Sequence, residues 1–146
     1  MRVPMKKKLV MHSLVAAAAV TAAAPLLAQY DDDMRYGGDN YGGWETIGRK
    51  SINGGVDFDR IQVRGSERFR KIRVCSVNRA FELRQMTARF ANGSNQNFFV
   101  GMIVPDGRCT RAFDLNGRRR NINSINMTYS RVGWGAVRPQ LIVQAR

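Results

Sequence analysis

Met86-Thr87-Ala88-Arg89-Phe90-Ala91-Asn92-Gly93-Ser94 is the stretch that decides the fold class. Met86, Ala88 and Phe90 alternate with Thr87 and Arg89, the period-two pattern of a strand with one buried face. Asn92-Gly93-Ser94 then supplies a turn, because glycine adopts a positive φ at little cost and asparagine tolerates one. The same grammar recurs outward in both directions. Ile72 and Val74 alternate with Arg73, Phe113 and Leu115 flank Asp114, and Ile125, Met127 and Tyr129 alternate with Asn126, Thr128 and Ser130. Turn clusters separate these runs at Asn53-Gly54-Gly55, Arg64-Gly65-Ser66, Pro105-Asp106-Gly107, Asn116-Gly117 and Gly133-Trp134-Gly135. The alternation slips phase between Leu83 and Met86, which predicts a bulge or a strand change there. No window of about ten residues carries a helical stripe. The pattern predicts about eight strands in an all-β, single-domain antiparallel β-sandwich or jelly-roll over residues 44–146.

Two segments precede this domain. Residues 1–28 have the three parts of an export signal: the cationic head Lys6-Lys7-Lys8, an alanine-rich apolar stretch, and Pro25-Leu26-Leu27-Ala28 ending in a small residue. A retained anchor is the competing reading, since 20 residues from Leu9 to Ala28 could span a bilayer. Alanine is only weakly apolar, and His12, Ser13, Thr21 and Pro25 interrupt the run, so cleavage is expected, leaving no transmembrane segment. Residues 29–43 hold four glycines, four aspartates and no aliphatic residue besides Met34. Such a segment buries too little apolar surface to offset its ordering entropy and reads as a flexible linker.

Removing 28 residues from 146 leaves 118, and Arg2, Lys6, Lys7 and Lys8 leave with them but no acid, so the formal charge falls from +13 to +9. The one histidine, His12, also goes. This excludes Ser-His-Asp and Cys-His catalysis and every histidine metal site in the mature chain. The expected location is periplasmic or secreted, in a Gram-negative bacterium.

The folded part resembles a family of small exported bacterial β-sandwich proteins of uncharacterised function. The resemblance is carried by Trp44 and Gly48, Asp59-Arg60-Ile61-Gln62-Val63 and Phe69-Arg70-Lys71-Ile72-Arg73. It continues through Met86 to Phe90 with Asn92-Gly93, Arg111-Ala112-Phe113-Asp114-Leu115, Ile125 to Tyr129, and a closing strand at Leu141 to Val143. It implies a periplasmic sandwich and no known activity. Cys75 and Cys109 lie outside that pattern.

An exported protein with two cysteines most often pairs them. A Cys75–Cys109 bond would close a loop of 35 residues, for which chain entropy alone suggests about 4 kcal/mol. Two free thiols and a redox pair are the alternatives, although no close spacing favours the latter. Parity with Ile72 and Val74 places Cys75 on the outward face.

Little in the chain looks catalytic, and no metal or cofactor is expected. Lys50 and Ser51, being adjacent on a strand, point to opposite faces. Asp57 and Asp59 have the spacing of a carboxylate pair, the basis of an alternative reading as a hydrolase of envelope polysaccharide or ester. Following the Asn53-Gly54-Gly55 turn, they read more simply as backbone caps or surface ion partners.

The mature chain carries 18 arginines and two lysines. Arginine's planar fork grips phosphate or carboxylate at two points. Arg64, Arg68, Arg70, Lys71 and Arg73 form one cluster. Arg118, Arg119 and Arg120 form a second, placed after Asn116-Gly117 at an expected hairpin tip. With Ile72 and Val74 inward, Lys71 and Arg73 are expected to face water. The plain reading is a set of solvated charges that keep sheet edges apart. The sharper one is an anion-binding face made of Arg118, Arg119, Arg120, Arg70, Lys71 and Arg73. In that compartment nucleic acid is scarce, so the expected partners are lipopolysaccharide, anionic lipid or an acidic protein. Trp134, between two glycines, is either a packing residue over one end of the sandwich or a stacking platform. The reading as a whole is a non-enzymatic envelope protein.

Overall fold

The computed structural model describes residues 34–146, so the expected signal in residues 1–28 and the first part of the linker lie outside the described residues. Nine strands follow in order: β1 (Glu45–Ser51), β2 (Val56–Gln62), β3 (Arg68–Phe69), β4 (Lys71–Val77), β5 (Phe81–Phe90), β6 (Asn95–Val104), β7 (Phe113–Asp114), β8 (Arg120–Arg131) and β9 (Gln140–Ala145). They form two antiparallel sheets. One has the order β1-β9-β4-β7, and the other β2-β8-β5-β6 with β3 also beside β8. The architecture is an all-β sandwich, in which β3 and β7 are only two residues long.

The inward side chains follow the alternation. Ile72 and Val74 of β4, Met86, Ala88 and Phe90 of β5, Ile125, Met127 and Tyr129 of β8, and Leu141 and Val143 of β9 meet in one core between the sheets. The phase slip is a bulge: the register of β5 shifts between Leu83 and Gln85 against both neighbours, β6 and β8. Asn92-Gly93 makes the β5–β6 hairpin, with Gly93 at φ +86° and the Asn92 side chain accepting from the Ser94 amide at 3.0 Å. At the open side, edge strands β1 and β2 approach so closely that a Cβ on Gly48 would overlap Ile61 Cγ2. Only glycine permits that approach.

Asn116-Gly117 is not a hairpin tip. It lies between β7 of one sheet and β8 of the other, so the arginines after it sit on a crossover. The outer face of the β1-β9-β4-β7 sheet is also not open to water along β4. Residues 34–44 lie over it: the Tyr36 amide donates to the Gly107 carbonyl at 3.0 Å, and Gln144 Nε2 donates to the Gly38 carbonyl at 2.8 Å. Cys75, Cys109 and Ile142 form a small second cluster there, with Tyr36 packed against it. Cys75 is thus on the face opposite Ile72 and Val74, as parity requires, yet fully buried. It is bonded to Cys109.

Candidate functional site

Arg118 and Arg119 are exposed on the β7–β8 crossover, and neither has a hydrogen bond or ion pair among the described residues. Arg120 is different. Its guanidinium stacks on the Phe90 ring at 3.8 Å and donates to the Asn116 carbonyl at 2.7 Å, Ser94 Oγ at 2.7 Å and Asn92 Oδ1 at 3.2 Å. It pins the crossover to the β5–β6 hairpin. β3 then brings in the other cluster, because Arg68 pairs with Asn121 and Phe69 with Arg120. The two arginine groups, about 50 residues apart in sequence, therefore share one end of the sandwich.

Two clefts open there, and both are lined by Arg68 and Arg119. The larger, about 460 Å³, adds Glu45, Glu67 and Arg146. The smaller, about 260 Å³, adds Asn92, Arg120 and Asn121. Glu45 has its carboxyl held above the usual range, first by a hydrogen bond with Glu67, then by burial and by repulsion from Glu67. This carboxylate pair within an arginine cleft was invisible in the sequence, since its members come from β1 and from the loop before β3.

The remaining members of the expected face are placed unevenly. Arg70 is exposed. Lys71 Nζ reaches Asp114 Oδ1 at 3.3 Å. Arg73 does not face water: it is 3% exposed, its Nε and Nη2 donate to Gln144 Oε1 at 2.9 and 2.7 Å, and its guanidinium lies 4.3 Å from the Trp44 ring centre. The expectation failed because residues 34–44 cover the outer face of β4.

Trp134 is 95% exposed, so it does not pack over the end of the sandwich. Its loop follows Arg131, at the opposite end of β8 from Arg120. Twelve strand residues span on the order of 35 Å, so Trp134 and the Arg118–Arg119 pair cannot grip one small ligand.

Asp57 and Asp59 are both engaged. Asp57 Oδ2 accepts from the Gly54 amide at 3.4 Å. Asp59 accepts from the Tyr129 hydroxyl and pairs with Lys50 Nζ at 3.0 Å. The Tyr129 hydrogen bond foremost, with Lys50 adding to it, holds the Asp59 carboxyl below its ordinary range. Burial and then that same carboxylate push the Tyr129 hydroxyl up.

Among the described residues no group of three or more His, Cys, Asp or Glu side chains could hold a metal ion. No helix among them is long and apolar enough to cross a membrane. No curated protein matches the chain. A family model does match, described as a domain of unknown function, DUF2541, over residues 9–145. With a match from near one end to the other, and a two-sheet sandwich as its folded part, the chain belongs to the DUF2541 family.

Proposed function

We propose that this protein is an exported, periplasmic, non-enzymatic sandwich that binds anionic envelope components through the end carrying Arg68, Arg118 and Arg119. The observation that carries the reading is the β3–β8 pairing, which sets Arg68 beside the Arg118–Arg120 crossover around two shared clefts. Exposed guanidiniums with no carboxylate ion partner among the described residues keep their donors available for phosphate or carboxylate groups outside the chain. Export rests on the cationic head and apolar stretch of residues 1–28, and the Cys75–Cys109 bond suits an oxidising compartment. Lipopolysaccharide and anionic lipid are the polyanions available there. The engagement of Asp57 and Asp59 with Gly54, Tyr129 and Lys50 gives the hydrolase alternative no observation in its favour.

The test is retention of the mature protein on lipopolysaccharide, anionic vesicles and peptidoglycan, each at low and high salt. Salt-sensitive retention on the first two is expected, reduced in R68A/R118A/R119A with the thermal midpoint unchanged. Retention indifferent to salt, or equal in the triple variant, would remove the proposal, because screening must weaken surface charge contacts. Arg120 is left in place, since its bonds to Asn116, Asn92 and Ser94 hold the crossover itself.

A further inference from the structure

Trp134 stands in a built setting at the end of the sandwich opposite Arg118 and Arg119. Gly133 takes φ +70°, a left-handed conformation that costs glycine little, and the loop it opens is held by two guanidiniums. Arg79 Nη2 donates to the Trp134 carbonyl at 2.9 Å. Arg131 Nη2 donates to the Gly135 carbonyl and, at 3.2 Å, to the Val137 carbonyl. The segment is also tied to the turn after β1. Arg138 Nη1 donates to Asn53 Oδ1 at 2.9 Å, and the Ile52 amide donates to the Pro139 carbonyl at 2.9 Å. Between loop and turn lies a cleft of about 150 Å³, lined by Trp134, Gly133, Arg131, Asn53, Gly54 and Gly55. The backbone is thus fixed, yet the indole it carries is left in solvent. An exposed tryptophan forfeits the burial by which the residue usually stabilises a fold. Holding one out on a fixed loop, against a cleft with polar walls, points to a ligand for the ring.

We propose that this cleft binds one pyranose unit of a glycan, with the Trp134 indole as the stacking surface and Asn53 and Arg131 as hydrogen-bonding groups. A pyranose ring has an apolar C–H face and a rim of hydroxyls, so it needs a flat aromatic surface beside polar groups, and the cleft sets the two side by side. Asn53 Oδ1 already accepts from Arg138, which leaves the amide nitrogen as the group offered to a ligand. The loop carbonyls engage Nη2 of Arg131 and its Nε is buried, so Nη1 is the arm left for a sugar oxygen. Gly54, Gly55 and Gly133 add no side chain, and a ring can approach their backbone closely. The volume is below that of a drug-sized pocket, which suits one sugar unit with the rest of the glycan running out into solvent. Bilayer hydrocarbon, the other common surroundings of a projecting tryptophan, would take the indole and leave the Asn53 and Arg131 donors unused. The site is separate from the anion surface and does not depend on it.

The test is an NMR titration of the isotope-labelled mature protein with chitotriose, maltotriose and glucuronic acid, which offer acetamido, hydroxyl and carboxylate oxygens in turn. Trp44 is buried and Trp134 exposed, so their indole N–H signals report separately. The Trp134 indole and the amides of Gly54, Gly55 and Gly133 are expected to shift together with at least one of these sugars, and the one that binds names the substituent facing Arg131. Trp134→Ala should weaken that binding by about 10-fold or more, with partial recovery in Trp134→Phe and an unchanged thermal midpoint. R68A/R118A/R119A should bind the sugar as the wild type does, so this site and the anion surface can fail separately. No shift with any of the sugars at concentrations on the order of 10 mM, or binding undiminished in Trp134→Ala, overturns the proposal. A response of the same signals to phosphatidylcholine vesicles and to no sugar overturns it as well, and would assign the loop to a lipid surface.

Discussion

Asp59 gathers a hydroxyl and an ammonium group at the open side of the sandwich, and its pH behaviour follows from them. Tyr129 and Lys50 stabilise the carboxylate and lower its folded pKa. The resulting stability is present above the unfolded value of about 3.8 and is lost as pH falls through the lower folded value. Asp59→Asn should therefore be less stable than the wild type at neutral pH, with the gap closing in acid. Urea melts from pH 7 downward would show this, and a gap constant with pH would count against it. Gly48 offers a steric test. Gly48→Ala places a methyl group against Ile61 Cγ2 and should cost about 1–3 kcal/mol. Ile61→Val keeps that Cγ2 and should give no relief. Ile61→Ala removes it, so a double-mutant cycle with Gly48→Ala should show favourable coupling. Both sites illustrate what a sequence can and cannot reveal. The spacing of Asp57 and Asp59 is legible, and so is the turn that gives Asp57 its Gly54 partner, but the partners of Asp59 come from β1 and β8, and only the fold supplies those.

Strand β4 shows where periodicity stops being informative. Alternation assigned Ile72 and Val74 to one face and Arg73 and Cys75 to the other, and the faces are as assigned. Exposure was not, because what covers a face is set by a different segment, here residues 34–44 over Arg73, Cys75 and Gln144. The hairpin at Asn92-Gly93 and the bulge near Leu83 were legible, since a turn or a bulge is written in the residues that make it. The same Asn-Gly signature at Asn116-Gly117 marks a crossover, because turn residues fix local φ and not the next strand's sheet. The disulfide joins β4 to the irregular stretch ahead of β7, and residues on both sides of Cys109 bond to β4, through Ser76 and Val74. With its ends separated by 34 positions in the chain, its removal in C75A/C109A should cost about 2–4 kcal/mol and lower the thermal midpoint by roughly 10 °C or more. Calorimetry of the variant against the oxidised protein measures this. An unchanged midpoint would mean that the backbone bonds alone hold this corner.

At the scale of the molecule, the sequence gives the net charge but not its geography. Two arginine clusters become one surface only through the two-residue pairing of β3 with β8, too short to leave a periodic signal. The same assembly places Glu45 in the larger cleft with Arg68, Arg119 and Arg146, and this makes the binding surface sensitive to pH. Its carboxyl is raised, by Glu67 first and by burial second, so it takes up a proton at higher pH than an ordinary glutamate. Protonation removes a negative charge from the cleft, and retention on anionic vesicles should therefore strengthen as pH falls from neutral. Stability moves in the same sense: a raised carboxyl contributes stability at low pH that is lost as pH rises through its folded pKa. Glu45→Gln fixes the uncharged state, so it should bind at neutral pH as the wild type binds in mild acid, with a shallower pH profile. Vesicle retention of both proteins at fixed ionic strength decides the matter, because screening is then constant and only the proton varies. Parallel pH profiles in the two proteins would place the anion contact away from Glu45, and with it away from the cleft that Arg68 and Arg119 share.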